Sequence, residues 1–155
     1  MSNISMTTSK RNAIVTVMLI SAFVSMLNQT ILNTALPAII KGLNITETTA
    51  QWLITGFMLV NGIMIPLTAF LMDKYSTRHL YIFSMAIFLI GSIVAAFSPT
   101  FTILMISRII QAIGAGILLP LMQFTVFTLF PAEQRGFAMG LAGVVVQSAP
   151  AIGPT

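Results

Sequence analysis

The chain has 155 residues, 57% of them hydrophobic and only 6% charged, with a formal net charge of +4. A soluble globular domain carries about 25% charged residues, so too few charges are present here to coat a compact body in water. Composition excludes a water-soluble domain and makes a lipid bilayer the expected solvent.

The charged residues cut the chain into uncharged runs at 12–40, 48–72, 80–107, 109–132 and 136–155. Each reaches the roughly 20 residues that a membrane-spanning helix needs. Within the third run, Ser98, Pro99 and Thr100 read as a turn, so one span closes near Phe97 and the next opens near Phe101, with Arg108 inside it. The reading is a single transmembrane region of about five spans, near 13–35, 49–72, 80–97, 101–130 and 136–155. A β-barrel requires alternation of apolar and polar residues, which Ile87-Phe88-Leu89-Ile90 and Val144-Val145-Val146 lack. The predicted fold class is an all-α transmembrane helix bundle. Lys10 and Arg11 precede an apolar run too long for a signal peptide.

In the first span, helical projection gathers Ser21, Ser25, Asn28, Gln29 and Asn33 into an arc of about 140°. Such an arc avoids lipid, either by hydrogen bonding between helices or by lining a cavity. The second span places Gln51, Thr55, Gly62, Pro66 and Ala69 on one narrow face, whose small residues suggest close packing on a neighbour. The following loop, Asp73 to His79, reads as a solvated turn, and His79 as a loop residue.

Arg108 of the fourth span is the most informative residue, because a cation near a helix centre costs about 2.5–3.5 kcal/mol on insertion scales. It needs a partner or water, or must snorkel to the interface. Gln111, Ala112 and Ala115 share its face and continue a polar, small-residue seam. In the fifth span Gly136, Gly140 and Gly143 offer a smooth face for helix packing, while Pro150 and Pro154 each remove a backbone donor and predict a kink or local opening.

With the N-terminus in the cytoplasm, Lys10, Arg11, Lys74, Arg78 and Arg135 fall inside and Lys41 alone outside, in accord with the positive-inside rule. Trp52 then suits the outer interfacial belt. The positive charge is topological, and no basic face with interleaved aromatics suggests nucleic acid. With no cysteine, one histidine and three scattered acidic residues, neither a metal cluster nor a catalytic triad is expected, and no cofactor. An enzyme is not expected.

Four segments resemble motifs of one family. Leu27-Asn28-Gln29-Thr30-Ile31-Leu32-Asn33-Thr34-Ala35-Leu36-Pro37 resembles the first-span signature of the drug:proton antiporters with fourteen spans in the major facilitator superfamily, where an acidic residue usually stands at the position of Asn28. Residues 69–78 resemble the superfamily's cytoplasmic gating motif: Asp73, Lys74 and Arg78 match, while Ala69, Ser76 and Thr77 depart from it. Residues 104–116, with Arg108, Gln111 and Gly114, resemble the fourth-span motif implicated in proton coupling, with Ala112 in place of glycine. Residues 149–155, with Pro150, Gly153 and Pro154, resemble the opening of the fifth-span antiporter motif.

The motifs keep the family's order and sides of the membrane. The resemblance implies export of amphipathic or cationic small molecules across the plasma membrane, driven by protons, by a transporter whose remaining spans lie beyond this chain. It implies proton coupling at Arg108 and Gln111, gating by Asp73, Lys74 and Arg78, a cavity lined by Ser25, Asn28, Gln29 and Asn33, and a helix break at Pro150, Gly153 and Pro154. Glu47, Asp73 and Glu133 fall near span ends or in loops, so a proton-carrying carboxylate is expected outside these spans. The alternatives are a small non-transporting membrane protein or split-gene product that needs a partner chain, and a helical channel.

Overall fold

The computed structural model describes residues 8–152. Among them are five α-helices and no strand: α1 (Thr8–Leu43), α2 (Glu47–Lys74), α3 (Thr77–Ala96), α4 (Phe101–Leu129) and α5 (Ala132–Ile152). Four of them, α1 to α4, are long and apolar enough to cross a membrane. The chain is an all-α transmembrane bundle. Over its described residues α5 is not among those four, because its first turns carry Glu133, Gln134 and Arg135.

Local sequence fixes the helix ends. Thr46, Ser76 and Thr100 cap the N-termini of α2, α3 and α4, each accepting from the backbone N–H three residues on. Past Leu43, Asn44 takes a left-handed conformation (φ 50°), and the N–H of Ile45 reaches back to the carbonyl of Ile40 at 3.2 Å. That closure satisfies the end of α1 with asparagine where glycine is commoner.

The central element is α4, which packs most extensively on α3 and α2, while α1 packs on α5 and α4. In its most apolar window 56% of α4 is buried, against 22% of α3. Small residues make this possible. A Cβ at Gly114 would stand 2.6 Å from the carbonyl oxygen of Ser84 and 2.9 Å from the backbone nitrogen of Phe88, so only glycine admits this approach of α3. One turn on, Pro120 has no N–H to offer the carbonyl of Gly116. Thr68 of α2, whose hydroxyl donates to the carbonyl of Met64 at 2.6 Å, lies 3.4 Å from that freed carbonyl. The main apolar cluster joins Met18 and Ala22 of α1, Met64 of α2, Ile117, Leu121 and Met122 of α4, and Ala142 and Val146 of α5.

Two expected packing faces meet no neighbour among the described residues. On α2, Gln51, Thr55, Gly62, Pro66 and Ala69 are all exposed; the buried face carries Ala50, Leu53, Gly56, Phe57, Met64 and Thr68. On α5, nothing lies within 4 Å of a Cβ at Gly136, Gly140 or Gly143, whereas Ala138, Ala142, Val146 and Ala149 are buried. Small side chains permit close approach without demanding it, and larger apolar side chains gain more contact area by turning inward. The outer surface is apolar, with Phe97 82% and Phe137 79% exposed. In water such a surface would aggregate, whereas lipid solvates it.

A cleft of about 700 Å³ is lined by residues of α1 such as Ala13 and Val17, of α3 such as Arg78 and Tyr81, and of α4 such as Phe124 and Thr128. The start of α1, the start of α3 and the end of α4 therefore share one end of the bundle. Arg11 adds to this, its guanidinium carbon 4.4 Å from the Phe130 ring centroid.

Candidate functional site: a buried arginine at the meeting of four helices

Thr100 starts α4, and Arg108 follows two turns later, only 1% exposed. Its Nη1 donates to Asn28 Oδ1 of α1 at 3.0 Å and to Gln111 Oε1, one turn on in α4, at 2.7 Å. Gln111 Nε2 in turn donates to Ser92 Oγ of α3 at 3.0 Å, and that hydroxyl donates to the carbonyl of Phe88 at 2.9 Å. From α2, Phe57 offers its ring face to the guanidinium, with 4.3 Å between Cζ and the centroid. Four helices thus converge on one cation.

The approach of α3 beneath Gln111 depends on Gly91, where a Cβ would come 2.9 Å from the Gln111 backbone nitrogen and 3.0 Å from the Ser107 carbonyl. Every partner of Arg108 is electrically neutral. Amide oxygens and a ring quadrupole offset part of the desolvation of a buried charge, the ring by about 2 kcal/mol when water is excluded. Arg108 Nε and Nη2 are buried with no hydrogen-bond partner among the described residues. Among the described residues Arg108 is the only charged one that is buried, and Glu47, Asp73 and Glu133 are all exposed.

Beside this network, Ser25, Gln29, Asn61 and Phe57 help to line a pocket of about 20 Å³, room for a single water. Of the four residues expected to line a cavity, Ser25 and Gln29 lie at this water-sized pocket, Asn28 is engaged by Arg108, and Asn33 is exposed and lines neither pocket. Ser21 is committed elsewhere, its hydroxyl 2.6 Å from that of Tyr81 on α3.

Asp73 and Lys74 are exposed at the end of α2, and the Lys74 ammonium sits 4.6 Å from the Phe70 centroid. Arg78, also exposed, lines the 700 Å³ cleft. His79 is exposed, with Nδ1 2.6 Å from the hydroxyl of Ser76, its helix cap. Pro150 does not end α5, which continues through it to Ile152; Gly153 and Pro154 lie outside the described residues. Among the described residues no group of three or more His, Cys, Asp or Glu side chains could hold a metal ion.

Sequence reasoning missed Phe57, Ser92 and Asn61. Phe57 looks like one more apolar residue in an apolar helix. Ser92 left a faint signal, since Gly91-Ser92 is a small, polar interruption in an otherwise bulky α3.

A buried cation in a lipid-solvated bundle is costly and marks a functional helix contact. The sequence matches the family model described as Major Facilitator Superfamily over residues 18–155. The chain belongs to the major facilitator superfamily. It is 55% identical over 145 residues to an uncharacterised MFS-type transporter, YcnB, of Bacillus subtilis, covering 94% of this chain and 31% of that protein. It is 45% identical over 138 residues to the lincomycin resistance protein LmrB of the same species, covering 89% of this chain and 29% of LmrB. Similarity extends to the probable multidrug resistance protein EmrY of Escherichia coli, 34% identical over 135 residues, covering 87% of this chain and 26% of EmrY. The chain spans about a third or less of the length of these curated relatives. Membership of the superfamily, together with four membrane-capable helices, makes it part of a multi-pass membrane protein of a transporter family.

Proposed function

We propose that this chain supplies the first helices of an efflux transporter that exports amphipathic drugs across the plasma membrane in exchange for inward-moving protons. The observation that carries the reading is the Arg108 network, a polar junction of four helices inside a bundle whose outer surface is apolar. Likeness to lincomycin and multidrug resistance proteins supplies the direction of transport and the kind of cargo.

In this reading Arg108 and Gln111 act in proton coupling, as a fixed charge and its positioning amide. A guanidinium does not give up its proton, so the proton itself travels on a carboxylate, which further spans of the transporter supply. Ser25, Asn28, Gln29 and Asn33 line the central cavity when it opens, and Asp73, Lys74 and Arg78 hold the cytoplasmic gate. Pro150, which α5 carries inside the helix and which removes a backbone donor there, is the point near which the moving parts bend. Alternating access needs two such bundles rocking about a central site.

Expression of the gene in cells stripped of their own efflux pumps tests the function. Accumulation of labelled lincomycin, or of other amphipathic drugs in a panel, is expected to fall, and to recover when a protonophore collapses the proton gradient. Unchanged accumulation of every drug, with the protein present in the membrane, would refute the reading. A protonophore-insensitive fall would refute proton coupling alone.

The proposed orientation places the N-terminus and the 73–79 loop in the cytoplasm. The cysteine-free sequence makes this simple to check. Cysteine introduced by Ser76→Cys is expected to resist an impermeant maleimide on intact cells and to react once the membrane is opened. Labelling from outside would invert the topology.

A further inference from the structure

We propose that the 700 Å³ cleft at the end of the bundle shared by α1, α3 and α4 binds one anionic membrane phospholipid, with its phosphate on Arg78 and an acyl chain between the helices. The site depends only on the bundle lying in a bilayer, whatever the transporter exports. Its inner end is closed where α1 and α3 touch, the Ser21 hydroxyl standing 2.6 Å from that of Tyr81, a residue of the lining. From Ser21 to Ala13, the first α1 residue of the lining, eight residues rise about 12 Å. One leaflet's hydrocarbon is roughly 15 Å thick, so the cleft takes most of an acyl chain's length.

The lining divides into an apolar part and a polar mouth. Ile14, Val17 and Phe124 are 38%, 51% and 44% exposed, large apolar side chains left open toward the bilayer. Of the polar side chains in the lining, Thr125 and Thr128 donate to carbonyls of their own helix, at 2.7 and 2.8 Å, and Tyr81 meets Ser21. That leaves the hydroxyl of Thr77 and the guanidinium of Arg78 to meet a ligand, both in the first turn of α3. Arg11 flanks the same end, its guanidinium carbon 4.4 Å from the ring centroid of Phe130, the residue after Leu129 of the lining. No acidic residue lines the cleft.

A further helix of the transporter is the competing occupant, and charge argues against it. A spanning helix seated here would cover Arg78 with apolar side chains, and a cation covered within the bilayer needs a partner that such helices seldom carry. An anionic phospholipid brings that partner with its acyl chains. Its phosphate accepts parallel hydrogen bonds from a guanidinium, and basic pockets between spanning helices at a membrane face are where anionic headgroups are held. A zwitterionic lipid offers the same phosphate, but its own cation opposes Arg78 and Arg11. Net negative charge is therefore selected. Once seated, the lipid braces α1 against α3 along the stretch where the cleft parts them.

The test uses the protein expressed from its own gene, in nanodiscs of phosphatidylcholine, with phosphatidylglycerol carrying a photoreactive group in one acyl chain as the probe. None of the readouts involves drug export. Illumination is expected to label residues 13–18 of α1 and 124–129 of α4, as mapped by mass spectrometry. Unlabelled phosphatidylglycerol is expected to compete, whereas phosphatidylcholine and free glycerol phosphate are not. Arg78→Gln, at an exposed position, is expected to weaken that competition by about fivefold, the effect of one basic residue at an anionic headgroup. Val17→Trp keeps Arg78 and fills the apolar part, so labelling of both segments is expected to be lost.

Equal labelling by phosphatidylcholine and phosphatidylglycerol probes would overturn the proposal, because it is the behaviour of ordinary boundary lipid. Competition that Arg78→Gln leaves unchanged would overturn it too. Protection of both segments from either probe would assign the cleft to a further helix of the transporter, with the same consequence.

Discussion

Arg108→Ala is expected to abolish export, by about 100-fold or more, while the protein still inserts in the membrane. The substitution removes the donor shared by Asn28 and Gln111 and the cation stacked on Phe57, so α1, α2 and α4 lose their common contact. Two buried amide oxygens are left without that donor, at a cost of about 1–3 kcal/mol each unless water enters. Gln111, freed from Arg108, retains only its bond to Ser92. Arg108→Lys separates charge from geometry. An ammonium keeps the positive charge, but it is a point donor without the planar fork that meets Asn28 and Gln111 while stacking on Phe57. Export is expected to recover only partly, to within about tenfold of the native rate. The measurement is initial rate of drug export per unit of protein in the membrane fraction. Full recovery with lysine would reduce Arg108 to a simple charge requirement.

The bundle and the need of Arg108 for polar partners inside it were legible in the sequence because both follow from solvation. A run of uncharged residues has one stable state in lipid, so run length finds the helices, and a charge inside such a run has few explanations. The turn at Ser98-Pro99-Thr100 is likewise local, set by residues within one turn of the start of α4.

Which face meets which neighbour was not legible. Gly62 and Gly140 look as suited to helix contact as Gly91 and Gly114 do, and lipid tolerates glycine as readily as a partner helix does. The choice is made by pairs: Gly114 is used because Ser84 and Phe88 stand opposite, and those residues lie some thirty positions away. Asn33 illustrates a second limit. Projection along α1 groups it with Ser25 and Asn28, but the cover from α4 does not extend along all of that long helix, and Asn33 is exposed. Phe57 carries no sequence mark at all of the cation above it.

Gly114 is the position where substitution is expected to harm folding most. A Cβ there would approach the Ser84 carbonyl to 2.6 Å and the Phe88 backbone nitrogen and Cβ to 2.9 Å. Two of these obstacles are main-chain atoms of a helix, which no rotamer change relieves. The helices must part along the most extensive contact in the bundle, and overpacking of this kind costs about 1–3 kcal/mol even for one methyl group. Gly114→Ala is expected to lower the melting temperature of the detergent-solubilised protein by about 5 °C or more, and Gly114→Leu to leave little folded protein in the membrane. Gly140→Ala is the control, because nothing lies within 4 Å of its Cβ. There the substitution gains up to about 1 kcal/mol of helix propensity and meets no clash, so stability should hold or rise. Gly91→Ala should fall between the two. Its nearest obstacle is Gln111 Cγ at 2.8 Å, a side-chain atom whose movement pulls the amide away from Ser92 and Arg108. Its main-chain obstacles, the Gln111 nitrogen at 2.9 Å and the Ser107 carbonyl oxygen at 3.0 Å, stand slightly farther off than those at Gly114. Export should then suffer more than folding does. Equal melting temperatures for Gly114→Ala and Gly140→Ala would show that α3 does not rest on α4 as closely as these distances require.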